Sequence, residues 1–350
     1  MTSAELIEHI NTGRIVSRAD LRNVSLAGAD LSGASIEDTD LSGADLRGCD
    51  LRDAQLNACM LHDTRLDGAN LDEVRLIRCQ GTNLRLDGAQ LAQALISDSD
   101  LSGCVLENAN LDRANIFRTK LNGARFAVPG LDRVAFAETQ LENATFAHAH
   151  LSYVTFHRLD LRNTRFTGAT MERAMLVECN LTGQSFATQQ LTGVQFTGSK
   201  LDDADFSQAS LTQCNFQGTS LRGARFRQAH APQAIFVQAD MSGADCRAGA
   251  FAQSLWVDAI LPDANLSGAD LNMAVMHRVR ASNADFSDAI LQDADFAMAD
   301  LRGADLRAAN VLRMRLHRAF TRRALWGQRL GIIENDAPLL EAELWSAGKN

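Results

Sequence analysis

Every fifth residue from Val16 to Leu316 carries an apolar side chain, forming a nearly unbroken column of 61 positions with no insertion or deletion to shift its phase. The column opens Val16, Leu21, Leu26, Leu31, Ile36, and only Gly81, Ala231, Cys246 and Ala281 leave it without a sizeable side chain. Two residues earlier runs a second column of small residues, from Ala29, Ala34, Thr39, Ala44 and Cys49 to Ala284, Ala289, Ala294, Ala299, Ala304 and Ala309. A step of five rotates an α-helix by about 140° and would smear the leucines around its surface, and in a flat strand an odd period alternates faces. The chain must therefore turn a corner every five residues. Each pentapeptide is one wall of a coil, with residues i and i−2 both pointing inward as they do along a short strand.

The phenylalanines set the number of walls. Fourteen of the sixteen lie in the large column, and from Phe126 to Phe236 they recur at ten-residue spacing, with one gap at residue 176 and with Leu or Met in nearly every place between. Three walls would stack Leu on Phe, whereas four walls stack residues twenty apart, Phe on Phe and Leu on Leu. The pattern predicts a square solenoid of about fifteen coils, a rod on the order of 70 Å long at roughly 4.8 Å per coil.

Runs such as Ala29-Asp30-Leu31-Ser32-Gly33, Ala44-Asp45-Leu46-Arg47-Gly48 and Ala299-Asp300-Leu301-Arg302-Gly303 resemble the pentapeptide repeat family, whose unit is a small residue, Asp or Asn, Leu or Phe, a polar residue and often Gly. The resemblance covers roughly 300 residues and implies an all-β fold, a right-handed quadrilateral β-helix. Between about residues 75 and 260 the Asp/Asn position drifts to Arg, Gln, Thr, Met or Ile, which keeps the fold signature and loosens the consensus.

Both ends leave the pattern, giving three segments: a capping helix over 1–13, the β-helix over 14–316 and a helical cap or docking segment over 317–350. Thr2-Ser3-Ala4-Glu5 reads as a capping box, followed by Leu6, Ile7 and Ile10 and closed by Gly13. Arg315 to Leu330 reads as a helix ended by Gly331, and Asp336-Ala337-Pro338 opens another carrying Leu339, Leu340, Leu344 and Trp345. Such a cap hides open strand edges. The resemblance adds a second use, because terminal helices pair two rods in several family members, so a homodimer through these helices stays open.

Mean hydropathy of −0.14 and the lack of any apolar run near ~20 residues point to a cytoplasmic chain without a membrane span or signal peptide. Six of seven cysteines occupy the small column and Cys246 the large one, so they read as reduced, buried hydrophobes even where Cys59 and Cys79 fall one coil apart. The tail from Leu312 holds seven basic and four acidic residues, which leaves the body with 27 basic against 39 acidic, a balance of −12. Free nucleic acid is a poor partner for that surface. Arginines do form columns, Arg65, Arg85, Arg125 and Arg165 on one wall and Arg113, Arg133 and Arg173 around Tyr153 on another, and they read as partners for carboxylates such as Asp112, Asp132 and Glu172. An anionic partner remains the alternative reading of these columns. The eight histidines avoid the inward columns and share no spacing with Cys or paired carboxylates that would build a metal or nucleophilic site, so no enzyme activity and no cofactor are expected.

One wall departs from the rest on its outside. The positions flanking the inward residue should be polar, yet on the wall of Phe236 and Trp256 they read Leu95, Phe117, Met175, Val177, Ile235, Val237, Leu255, Val257 and Val275. Five of these fall on three successive coils, a strip of the size at which exposed apolar surface marks an interaction site, although β-branched residues also suit flat walls. Together with Trp345 in the tail they are the candidate partner-binding residues. Two function classes follow. The first is a non-enzymatic bacterial protein–protein scaffold or adaptor. A long rod with a short leading helix also resembles repeat proteins encoded beside type VI secretion genes, which implies a secretion effector or spike component as partner. The second is the DNA mimic of quinolone-resistance relatives, which occupies the DNA groove of a type II topoisomerase such as gyrase. That role needs a continuous acidic lane, and the arginine columns interrupt it.

Overall fold

The structure is a computed structural model that describes residues 3–128 and 130–347, and it divides into two compact units, Met1–Asn180 and Leu181–Asn350. In the first unit a helix, α1 (Ser3–Asn11), buries Leu6 and closes with Gly13 N–H bonded to the Ile10 carbonyl at 2.8 Å. The expected capping box begins at Thr2, which lies outside the described residues.

Beyond α1 the first unit is a four-walled parallel β-helix. One wall forms a nine-stranded parallel sheet from Val16–Ser17 and Ser35–Glu37 through to Thr155–His157 and Met175–Val177. Its register is fixed at twenty residues, as in Val16↔Ile36, Leu56↔Leu76 and Phe156↔Leu176. The other walls pair by short bridges at the same offset, such as Asp20↔Asp40 and Asp45↔Arg65. Twenty residues per coil is the four-wall spacing that the phenylalanines predict. Most corners are turned by a residue two places after the large inward one, held at positive φ, as are Asn23 at 55°, Gly28 at 73° and Asp53 at 57°. Glycine takes that conformation without strain, and Asn and Asp tolerate it better than other residues. The Gly of the consensus is therefore favoured at the corner, where other residues bear the strain of the same φ.

Inside, the aromatic order is as the spacing requires. Phe126 and Phe146 stack at 4.4 Å and 7°, while Phe126 and Phe136 meet edge to face at 5.6 Å and 89°. Gly81 is the gap in the large column, and Leu61 and Leu101 close over it so tightly that an added Cβ would sit 3.0 Å from Leu101 Cδ2. The small column does more than fit. Thr64 donates its hydroxyl to the Leu41 carbonyl at 2.8 Å, and Cys49 reaches the Leu26 carbonyl at 2.8 Å in the same way, so each bonds to the coil before it. This explains why Thr, Ser and Cys share the column with Ala.

The second unit repeats the same coil, with bridges such as Ser185↔Asp205 and Asp285↔Asp305 and an aromatic stack running Phe196, Phe216, Phe236, Trp256. The Trp256 indole N–H donates to the buried Ser254 hydroxyl at 2.6 Å. Past Leu316 the structure corrects the expected helix over Arg315–Leu330. Arg315 bridges Asp295, Phe320 bridges Asp300, and Leu325–Trp326 pairs with Asp305–Leu306, which builds one coil beyond the expected count. The pentad phase survives there in weakened form, through the small residues Ala319 and Ala324 and the inward Trp326, and the open edge of the previous coil supplies partners that a free helix lacks. This coil closes two residues short, with Arg315 bridging Ile333. Helix α2 (Ala337–Ala347) follows, so both ends do carry short helices.

Candidate functional site

Strand geometry turns every residue beside an inward one outward, so the flanks of this wall are its outer face. In the second unit, the backbone bridges run Ile235↔Leu255↔Val275, placing these three one coil apart in one column. Val237 and Val257 form the column on the other side of the buried Phe236 and Trp256. Leu255 is 37% exposed and the other four are half-buried, so the five make one apolar floor. Met273, 52% exposed at the adjoining corner, widens it. That residue was not among the sequence candidates because it sits at a corner, two places before Val275, rather than on a flank.

The first unit does not gather its candidates in this way. Leu95 bridges Asn115 while Phe117 bridges Ser97 and Ala137, so the two are diagonal neighbours. Met175 and Val177 are separated from them by Ala135, Ala137, Thr155 and His157. Phe117 is also covered, because the Arg118 guanidinium lies 4.0 Å from its ring centroid and is held by Asp98 at 2.7 Å. Trp345 lies on α2, 67% exposed, and not on the wall.

Much of the charge on these units is arranged in closed pairs. Asp45 accepts from Arg47 at both carboxylate oxygens, at 2.7 and 2.6 Å, and Asp50 with Arg52, Asp160 with Arg162, Asp300 with Arg302 and Asp305 with Arg307 repeat the clasp. The hydrogen bond from Arg47 holds the Asp45 carboxyl at about 2. Asp245 is pulled both ways: burial raises it, but the hydrogen bonds from Arg247 and Arg227 bring it down to about 2. The motif Asp-x-Arg was visible in the sequence, and the spacing of two places both side chains on one turn. Three of the four arginines expected to find carboxylates do so, Arg65 reaching Asp67 at 3.5 Å, Arg85 reaching Asp67 at 3.2 Å and Asp87 at 2.9 Å, and Arg125 reaching Glu107 at 3.7 Å, along a groove of about 820 Å³; of the carboxylates named as partners, Asp132 pairs with Arg133, while Asp112 and Glu172 form no ion pair among the described residues. Asp87 is pushed up by burial and by the neighbouring Asp67. Around Tyr153, Arg173 donates to the phenol oxygen at 2.6 Å and Arg133 lies 5.3 Å from the ring centroid while bonding to Asp132.

All seven cysteines are buried thiols, and none is in a disulfide. Burial pushes Cys104, Cys179 and Cys214 up to about 12, and the contact with Cys59 raises Cys79 further. Among the described residues no group of three or more His, Cys, Asp or Glu could hold a metal ion, and no helix is long and apolar enough to cross a membrane. One histidine matters in a way its position in the sequence did not signal. His317 is buried under α2, where its Nδ1 accepts the Asp336 N–H at 3.3 Å and its Nε2 meets Glu343 at 3.2 Å; Arg318 bonds the same carboxylate at 2.7 Å. Beside it lies a cavity of about 280 Å³ lined by His277, Ala297, Ile333 and Leu339.

Twenty-residue coils with a filled interior define a repeat solenoid. Family models agree: one described as "Pentapeptide repeats (8 copies)" matches residues 17–53, 49–89, 59–98, 85–123, 190–228, 220–254, 259–297 and 274–307, and another, "Pentapeptide repeat region", matches 130–206. The chain belongs to the pentapeptide repeat family, and its fold is a right-handed quadrilateral β-helix. Similar solved structures include HetL from Nostoc sp. strain PCC 7120, a pentapeptide repeat protein involved in heterocyst differentiation regulation, at 23% identity over 85% of this chain and 96% of that one, with a TM-score of 0.20. Full-length QnrB1, a plasmid-mediated fluoroquinolone resistance protein, is 15% identical over 76% of this chain and 99% of its own, with a TM-score of 0.21. A pentapeptide repeat protein of the Arabidopsis thaliana thylakoid lumen is 29% identical over 35% of this chain and 68% of its own, with a TM-score of 0.13. Superposition is poor at these scores, so the family assignment rests on the repeat models. No curated protein matches the chain significantly in sequence.

Proposed function

We propose that the chain is a non-enzymatic scaffold that holds a partner protein on the apolar strip of its second unit. The observation that carries this reading is the gathering of Ile235, Leu255, Val275, Val237 and Val257 on three successive coils of one wall. Burying such side chains supplies binding energy without chemistry, and contiguous exposed apolar surface is uncommon on proteins that bind nothing. A secretion effector or spike component, and a second copy of the chain joined through α2 with its exposed Leu344 and Trp345, are the specific partners this reading takes forward. Gyrase mimicry draws less support. Its acidic lane would run through Asp45 and Asp50, and both are clasped by their own arginines.

The deciding experiment sets Val237→Glu with Val257→Glu against Asp45→Asn with Asp50→Asn, in co-purification of the partner and in a gyrase supercoiling assay. The scaffold reading expects the valine pair alone to abolish co-purification. Inhibition of supercoiling that survives the valine changes and disappears with the aspartate changes would overturn it.

A further inference from the structure

The strip also specifies the kind of partner segment it takes, an inference that rests on the scaffold reading. Its backbone is already saturated in both directions along the stack: Leu255 N–H bonds the Ala234 carbonyl at 3.0 Å, and Phe236 N–H bonds the Leu255 carbonyl at 2.7 Å. Val275 N–H bonds the Ser254 carbonyl at 2.9 Å, and Trp256 N–H bonds the Val275 carbonyl at 2.7 Å. No ladder of free donors and acceptors is left for an added strand, so binding rests on side chains alone.

Spacing then separates helix from strand. Successive coils lie roughly 4.8 Å apart, so three of them span about 10 Å. On a helix, side chains at i, i+4 and i+7 rise by about 6 and 10.5 Å, which keeps one side chain to each coil. An extended segment presents same-face side chains roughly 6.7 Å apart and falls out of step by its third contact. The rim is uncharged or internally paired. Gln213, Gln233 and Gln253 form an amide ladder at 3.0 and 3.1 Å, and Asp258 and Arg278 bond each other twice at 2.7 Å. Arg278 is held by Asp258 and is not open to a phosphate, whereas an apolar stripe with neutral flanks fits the amide ladder and the closed pair.

The same outer face already carries a helix. Two coils beyond Val275 and His277, the flanking residue His317 is buried beneath α2, and Leu339 of α2 lines the cavity with His277 and Ala297 of this wall. The same wall carries both, with His277 and Asp295 standing between the apolar strip and that seat. We propose that the strip docks an amphipathic α-helix of a partner protein, with aliphatic residues at i, i+4 and i+7 and uncharged flanks.

The test uses two synthetic peptides of equal composition, one a stapled helix with leucines at i, i+4 and i+7 on a glutamine and alanine background, the other with the same leucines at alternate positions. Each is titrated onto the full chain and followed by fluorescence anisotropy and by methyl shifts of the strip. Saturable binding of the helical peptide alone, weakened roughly tenfold or more by Val237→Glu with Val257→Glu, is the expected result. A melting curve matching the wild type shows that the variant folds, and Leu255→Asn serves where it does not. Equal binding of both peptides, no binding, or binding indifferent to the strip variants would overturn the helix assignment. If the peptides fail while the valine pair still removes the partner in co-purification, the scaffold stands and only the helix is lost.

Discussion

The two units share an interior and differ on one outer face. Both stack aromatic rings every twenty residues, Phe126 on Phe146 in the first and Phe216 on Phe236 in the second, with the same parallel register. On the wall that carries the candidates, the first unit sets Leu95 and Phe117 apart from Met175 and Val177 and covers Phe117 with Arg118, whereas the second lines up five aliphatic side chains without interruption. The lesson is that an outer face in this fold is written independently of the core. The inward positions fix the coil, and the flanks are free to make or break a surface.

The largest effect should come from the feature the units share. Phe146→Ala and Phe216→Ala each remove a ring stacked between two others, and each should cost about 3 to 5 kcal/mol in chemical denaturation, the range for emptying an aromatic site in a packed core. A loss confined to one unit would break the claim of a common interior. Next comes the feature that divides them. Met175→Glu with Val177→Glu in the first unit should leave partner co-purification intact, while Val237→Glu with Val257→Glu in the second should weaken it by roughly tenfold or more. Equal loss from both pairs would mean that the whole wall binds.

Acid should act on both units alike. Asp45 and Asp245 are held at about 2 against an ordinary value of 3.8, so the stability they contribute is present above about pH 4 and lost as pH falls toward 2. Melting temperature should be flat near neutrality and drop across that window, with Asp245→Asn blunting the drop more than Asp45→Asn because two arginines hold Asp245 and one holds Asp45. The smallest effect has the opposite sign. Asp87 is raised by burial and by Asp67, so the folded state favours its proton and loses that advantage as pH rises. Asp87→Asn should therefore raise the melting temperature slightly at pH 7 and leave it unchanged in acid.

Much of this was legible in the sequence. A period of five with no phase break names the coil, and phenylalanines ten apart choose four walls, because side-chain volume must match between coils. The apolar flanks were visible for the same reason. What the sequence did not show depends on the third dimension. Arg315 to Leu330 reads as a helix by composition, but the open edge of the coil before it offers hydrogen bonds that local propensity ignores. His317 looks like a solvated flank until α2 covers it, and Met273 joins the strip only through a corner. The thiols were read correctly as buried, yet their hydrogen bonds to carbonyls one coil back follow from the bend of the wall and not from spacing.

The coil that closes short, with Arg315 bridging Ile333, bears on a hazard common to parallel stacks. A full square of twenty residues ends in four unsatisfied edges of fixed perimeter, which is a template for another such square. Trimming the final perimeter by two residues puts its edges out of step with any complete coil, and α2, anchored by Glu343 to His317 and Arg318, lies against that same coil. Growth by end-to-end addition would have to restore the missing residues before a single new ladder could form. The shortened turn is thus a terminator that keeps a self-templating architecture finite.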